Sequence, residues 1–205
     1  MGQYSDVIPV TITADTVALD ADGISVAASV GNNAALVIGG ALADSGSVTL
    51  SHGRLITILS AGDDSSKSFT VVGTDVNGDS QTETVTGANA GTATSSKYFK
   101  TIASITAVGN PAGNVSAGIN ASAADAIFTM RSRLKGMFLT STATAGEIDF
   151  LTSSPSGTSI MNLNSVSDAD ATRDVTIPNE GVVFTSGIYI QYTVSTFLTM
   201  TVFHA

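Results

Sequence analysis

The chain has 205 residues, 43% hydrophobic and 12% charged, which describes a folded protein with room for one large all-β domain or two of about a hundred residues each. Eight Lys and Arg stand against 17 Asp and Glu, a formal charge of −9, which argues against a nucleic-acid partner bound through clustered cations. Cysteine is absent, so a disulfide framework, a thiolate metal site and a cysteine nucleophile are excluded.

Charged content is about half the usual ~25%, yet mean hydropathy is +0.31. Uncharged polar groups must therefore carry solubility: Thr occurs 27 times and Ser 26 times. Hydroxyls in place of charges suit β-surfaces and packed assemblies. The start, Met1 to Asp6, lacks the basic region and apolar core of a signal peptide, and Asp6 misses the Ser or Thr of a myristoylation pattern. No stretch approaches the ~18 to 20 apolar residues of a membrane helix, so neither targeting nor a membrane partner is expected.

In chain order, Val7, Ile8 and Val10, with Pro9 between them, belong to a stretch that reads either as a first strand or, over residues 1–20, as an extended arm lying on a neighbour. Pro9 would restrict it to an edge position. Asp20-Ala21-Asp22-Gly23 reads as a turn, and Leu36-Val37-Ile38 and Arg54–Leu59 as buried strands. Ser68–Val72 and Gln81–Thr86 alternate β-branched and polar residues around Asp75-Val76-Asn77-Gly78-Asp79, which predicts a hairpin closed by a type I′ turn at Asn77-Gly78. Lys97–Ile102 and Ser104–Val108 form one long strand or two joined by a bulge, and Asn114–Ile119 closes the first unit.

Ala121–Ile127, with Ser122 as N-cap, is the one plausible helix, at the expected boundary between a domain of residues 1–120 and one of 121–205. Six short strands follow: Leu134–Thr140, Glu147–Leu151, Ser159–Leu163, Arg173–Ile177, Ile188–Val194 and Leu198–Phe203. The expectation is an all-β protein of two antiparallel β-sandwich or small-barrel domains in tandem.

The halves carry −6 and −3, and the only basic cluster is Arg131-Ser132-Arg133-Leu134-Lys135. Strand alternation puts Arg131, Arg133 and Lys135 on one face. That face is either merely solvated or an electrostatic contact to an acidic partner or another copy of this acidic chain.

Catalytic chemistry is thinly represented. His52 follows a turn-like Ser51 and His204 is penultimate, so both are expected at a surface or interface. There is no nucleophile elbow, phosphate-binding glycine pattern or calcium loop with Gly and Glu in register, so no catalytic residue, cofactor or metal ligand is assigned. Glu147 and Asp149 share a strand face at a spacing compatible with a glycosidase pair, but equally with a solvated edge. Tyr98, Phe99, Phe128, Phe138 and Phe150 are expected in the core. Tyr189 and Tyr192 fall on opposite strand faces, so at least one is a candidate contact residue.

Ser60–Asp75, Glu83–Thr92 and Lys97–Ile102 together resemble a module of virion structural proteins of tailed bacteriophages, and Pro178–Tyr189 is similar to a second such pattern. The resemblance implies a non-enzymatic subunit located in the virion after assembly in the host cytoplasm. As a capsid decoration, cement or head-fibre type protein it would contact sister copies and other phage structural proteins such as the major capsid protein. The alternative is a tail-associated or receptor- and carbohydrate-binding module. Interface residues expected on either reading are Val7, Ile8, Val10, Arg131, Arg133, Lys135, Tyr189 and Tyr192.

Overall fold

The computed structural model describes residues 6–13, 20–120, 124–193 and 195–205. All regular structure in them is β, and no helix is long and apolar enough to cross a membrane. The chain begins with β1 (Ile8–Thr13) and continues through β2 (Asp20–Ala28), β3 (Ala43–Asp44), β4 (Ser47–Ser60), β5 (Ser68–Thr74), β6 (Ser80–Thr86), β7 (Thr92–Val108) and β8 (Val115–Ile119). The remaining strands are β9 (Ala124–Phe128), β10 (Ser132–Ser141), β11 (Glu147–Thr152), β12 (Thr158–Asn164), β13 (Thr172–Thr176), β14 (Val182–Phe184), β15 (Ile188–Tyr192) and β16 (Phe197–His204). The sheets are antiparallel and do not close into a barrel, so the sandwich alternative describes them.

Two compact units divide the chain, unit 1 (Met1–Val17 with Ala123–Ala205) and unit 2 (Ala18–Ser122). This differs from a tandem split at 120/121, because β1 pairs with β16 from Ile8↔His204 to Thr13↔Thr199. The stretch read as a possible arm thus contains an edge strand of its own chain's C-terminal unit. Ile12 explains why: it is fully buried in that unit's core, so releasing the strand would return an isoleucine to water.

The 18–122 unit runs in the order β6-β5-β7-β4-β8-β2, with β3 on β4. The long strand β7 lies between two partners: Thr92–Ile102 pair with β4 and Thr101–Val108 with β5, so Thr101 and Ile102 are paired on both sides. Where it faces β7, β4 carries extra residues between Thr49 and Arg54, and such bulges bend a sheet. The curled sheet encloses Ile56, Ile58, Phe69, Phe99, Ile102 and Ile105.

Unit 1 has two facing sheets, β1-β16-β10-β13 with β14 on β10, and β12-β11-β15-β9. Leu134, Met137, Met200 and Val202 of the first meet Phe150, Ile188 and Ile190 of the second in one core. The inner residues alternate with outer polar ones along each strand, as the sandwich requires.

Several local expectations are corrected. Residues 124–127 are strand β9, not helix, because pairing with β15 satisfies their backbone within a sheet; Ser122 lies outside the described residues. Asp20–Gly23 begins β2 rather than turning. Leu36–Ile38 is an irregular segment: Leu36 is buried, and its N–H donates to the Ile105 carbonyl at 2.8 Å, but Val37 is 79% exposed. The β5–β6 hairpin forms with Thr74 opposite Ser80, but only Gly78 has positive φ (89°) and Asn77 does not. Asp75 explains the longer loop: its Oδ1 accepts the N–H groups of Asn77 (2.8 Å) and Asp79 (3.0 Å), an Asx turn that replaces the two-residue reversal.

Candidate functional site

The most developed surface feature of unit 1 lies on the outer face of β12, β11 and β15. Along β11, Ile148 and Phe150 point inward and are fully buried, which leaves Glu147 and Asp149 outward. Asp149 lies in register between Asn162 of β12 and Gln191 of β15, so a carboxylate and two amides share one cross-strand row. Asn162 Nδ2 donates to Glu147 Oε1 and, at 3.1 Å, to Asp149 Oδ1, while Ser159 Oγ donates to the same Asp149 oxygen at 2.7 Å. One amide therefore holds both carboxylates side by side. Glu147, Asp149, Gln191, Tyr192 and Thr193 line a shallow pocket of about 200 Å³ here.

The two candidate tyrosines separate. Tyr189 is half-buried on this outer face, on the same side of β15 as Gln191. Tyr192 is a correction: it is 4% exposed, packs edge-on to Phe197 (5.2 Å between centroids) and donates its hydroxyl to the buried Asp125 at 2.5 Å. Its hydroxyl needed a buried acceptor to permit this placement, and β9, read as helix, supplies it.

The basic cluster sits at the start of β10. Arg131 is exposed in the bend before the strand; Arg133 and Lys135 are half-buried on the outer side, with Leu134 inward. Arg133 Nη1 donates to the Glu180 carbonyl (3.3 Å) and Lys135 Nζ to the Asn179 carbonyl (3.4 Å), so both steady the turn between β13 and β14. Val7 and Val10 are half-buried, Val10 against the core, and Ile8 is 52% exposed at the end of edge strand β1.

Both histidines are buried, contrary to the surface placement expected of them. His52 lies inside β4 with Nδ1 2.8 Å from Ser51 Oγ. His204 contacts Ser132 Oγ (3.2 Å) and the Phe128 ring (5.0 Å between centroids), and burial lowers its pKa. Phe138, expected in the core, is 38% exposed. Among the described residues, no three His, Asp or Glu side chains are grouped so as to hold a metal ion. Gly62-Asp63-Asp64-Ser65 reads from its composition as a turn, which gives no sign that Asp64 is fully buried between loops, where its Oδ1 accepts the Ala112 N–H at 2.7 Å. Comparison with family models, with curated proteins and with solved structures finds no match to this chain.

Proposed function

We propose that this chain is a non-enzymatic structural subunit of a tailed-phage particle, of the capsid decoration or head-fibre type, acting through contacts with sister copies and with a shell protein. The phage assignment rests on the resemblance of Ser60–Asp75, Glu83–Thr92 and Lys97–Ile102 to virion modules. The observation that carries the binding role is the outer face of β1, β16, β10 and β13. One row across its four strands, in register, is Thr13, Thr199, Thr140 and Thr172. A row of hydroxyls is soluble when free and itself carries no charge to desolvate when covered. Mass spectrometry of purified particles tests the reading: the protein is expected as a stoichiometric component, and its absence from them would overturn the proposal.

A second reading, a receptor- or carbohydrate-binding module, is favoured by one observation. Tyr189 shares an outer face with the carboxylates and amides around the shallow pocket, a combination that can stack on a sugar ring and accept its hydroxyl protons. Glycan-array binding that is lost in Tyr189→Ala would support it; binding that survives the substitution would remove it.

A further inference from the structure

Unit 1 has two unlike outer faces. On β1, β16, β10 and β13 the Thr13–Thr199–Thr140–Thr172 row is followed by Thr11, Thr201, Phe138 and Asp174. Directly opposed residues of antiparallel strands share a face, so these eight form one patch with a single charge. Toward the start of β10 the same face becomes basic, with Lys135, Arg133 and the exposed Arg131. The donors of Arg133 and Lys135 described above go to main-chain carbonyls, which carry no net charge, so neither cation is neutralised by those bonds. Acids also lie on this part of unit 1, Asp174 in the patch and Glu180 in the adjoining turn.

The opposite outer face reverses this. Glu147 and Asp149 lie among Asn162, Asn164 and Gln191, their partners in register, none of which carries charge. Among the described residues, Arg173 is the cation that the hydrogen bonds place at this rim, where it donates to the Asn164 carbonyl. A sandwich with a hydroxyl-and-basic face on one side and an acidic-and-amide face on the other is complementary to a copy of itself, front to back.

We propose that unit 1 stacks head to tail on further copies of this chain, with the Arg131, Arg133 and Lys135 end of one copy seated on the Glu147 and Asp149 face of the next. The inference rests on the structural-subunit reading and specifies its partner and surfaces. The contact is heterologous, so it closes into a ring or continues as a filament rather than stopping at a two-fold dimer.

Native mass spectrometry and light scattering of the full chain test this, with circular dichroism to confirm folding. The wild type is expected to assemble at low salt and to dissociate at about 1 M salt, where the screening length is ~3 Å. Glu147→Lys with Asp149→Lys, and separately Arg131→Glu with Arg133→Glu and Lys135→Glu, are each expected to be folded monomers. Mixed one to one, they are expected to assemble again, because each then offers the other a complementary face. Since Arg133 and Lys135 also steady a turn, Arg131→Glu alone serves as a second variant, expected to weaken assembly about tenfold.

A wild-type monomer, a mixture that stays monomeric, or charge-reversed variants that keep the wild-type mass would each overturn the stacking. So would an acidic-face variant that assembles normally but loses glycan binding. In the case of a wild-type assembly indifferent to these reversals, the subunit reading stands with other surfaces; only absence from particles removes that reading.

Discussion

At the scale of single residues, the most informative side chains are polar ones that the fold buries. Asp64 is fully buried, and its accepted hydrogen bond from Ala112 ties the loop after β4 to the loop after β7. Asp64→Ala removes the acceptor of the Ala112 N–H, an expected loss of about 1 kcal/mol, measured as a lower urea midpoint with an unchanged slope. His204 gives a pH dependence with a defined sign. Burial holds its native pKa below the ordinary 6.5, so the unfolded chain binds a proton before the native chain does. This contribution is complete above about pH 6.5 and is lost as pH falls from there toward the native pKa. Stability measured from pH 7 to 5 is therefore expected to decline. In His204→Gln the decline should be shallower; an identical slope would assign it to other groups.

At the scale of elements, backbone geometry decides where strands turn and how closely they approach. Gly78 at φ 89° permits the β5–β6 turn, and Gly78→Ala is expected to cost about 1 kcal/mol because a side chain there is strained in the left-handed region. Gly118 of β8 acts differently. A methyl group at its position would lie 1.8 Å from the Asp20 carbonyl oxygen of β2. Gly118→Ala should therefore force β2 away from β8, visible as faster hydrogen exchange at β2 amides while those of β5 and β6 keep their protection. Equal exchange in both regions would show that the sheet absorbs the methyl group elsewhere.

At the scale of the whole molecule, the chain's beginning and its last eighty-three residues belong to one unit. Ile12 is the link with the largest leverage, since it is fully buried among residues that follow it by more than a hundred positions. Ile12→Ala is expected to destabilise unit 1 by about 2–5 kcal/mol. Hydrogen exchange should rise across β10 and β16 and stay constant across β5 and β7; a uniform rise would mean that the two units unfold together.

What could be read in advance follows the range of the interactions involved. Period-two alternation and turn residues lie within a few positions of one another, so the β5–β6 hairpin and six of the seven strands from β10 to β16, all but β14, were legible from the sequence. So were the shared face of Glu147 and Asp149 and the opposite faces of Tyr189 and Tyr192, which need only strand alternation. Burial of Tyr192 was not legible, because it depends on Asp125, sixty-seven positions away, and on β9 being a strand. Ala-rich residues 121–127 favour a helix locally, and over residues 124–127 pairing with β15 overrides that preference. The burial of His52 and His204, and the return of β1 to β16, were decided in the same way, by partners brought close only when the sheets had formed. Local sequence thus determined the strand-forming pattern and the charge-poor, hydroxyl-rich surface. The tertiary structure alone decided which strands are neighbours, because register is settled by burying whole faces against residues far along the chain.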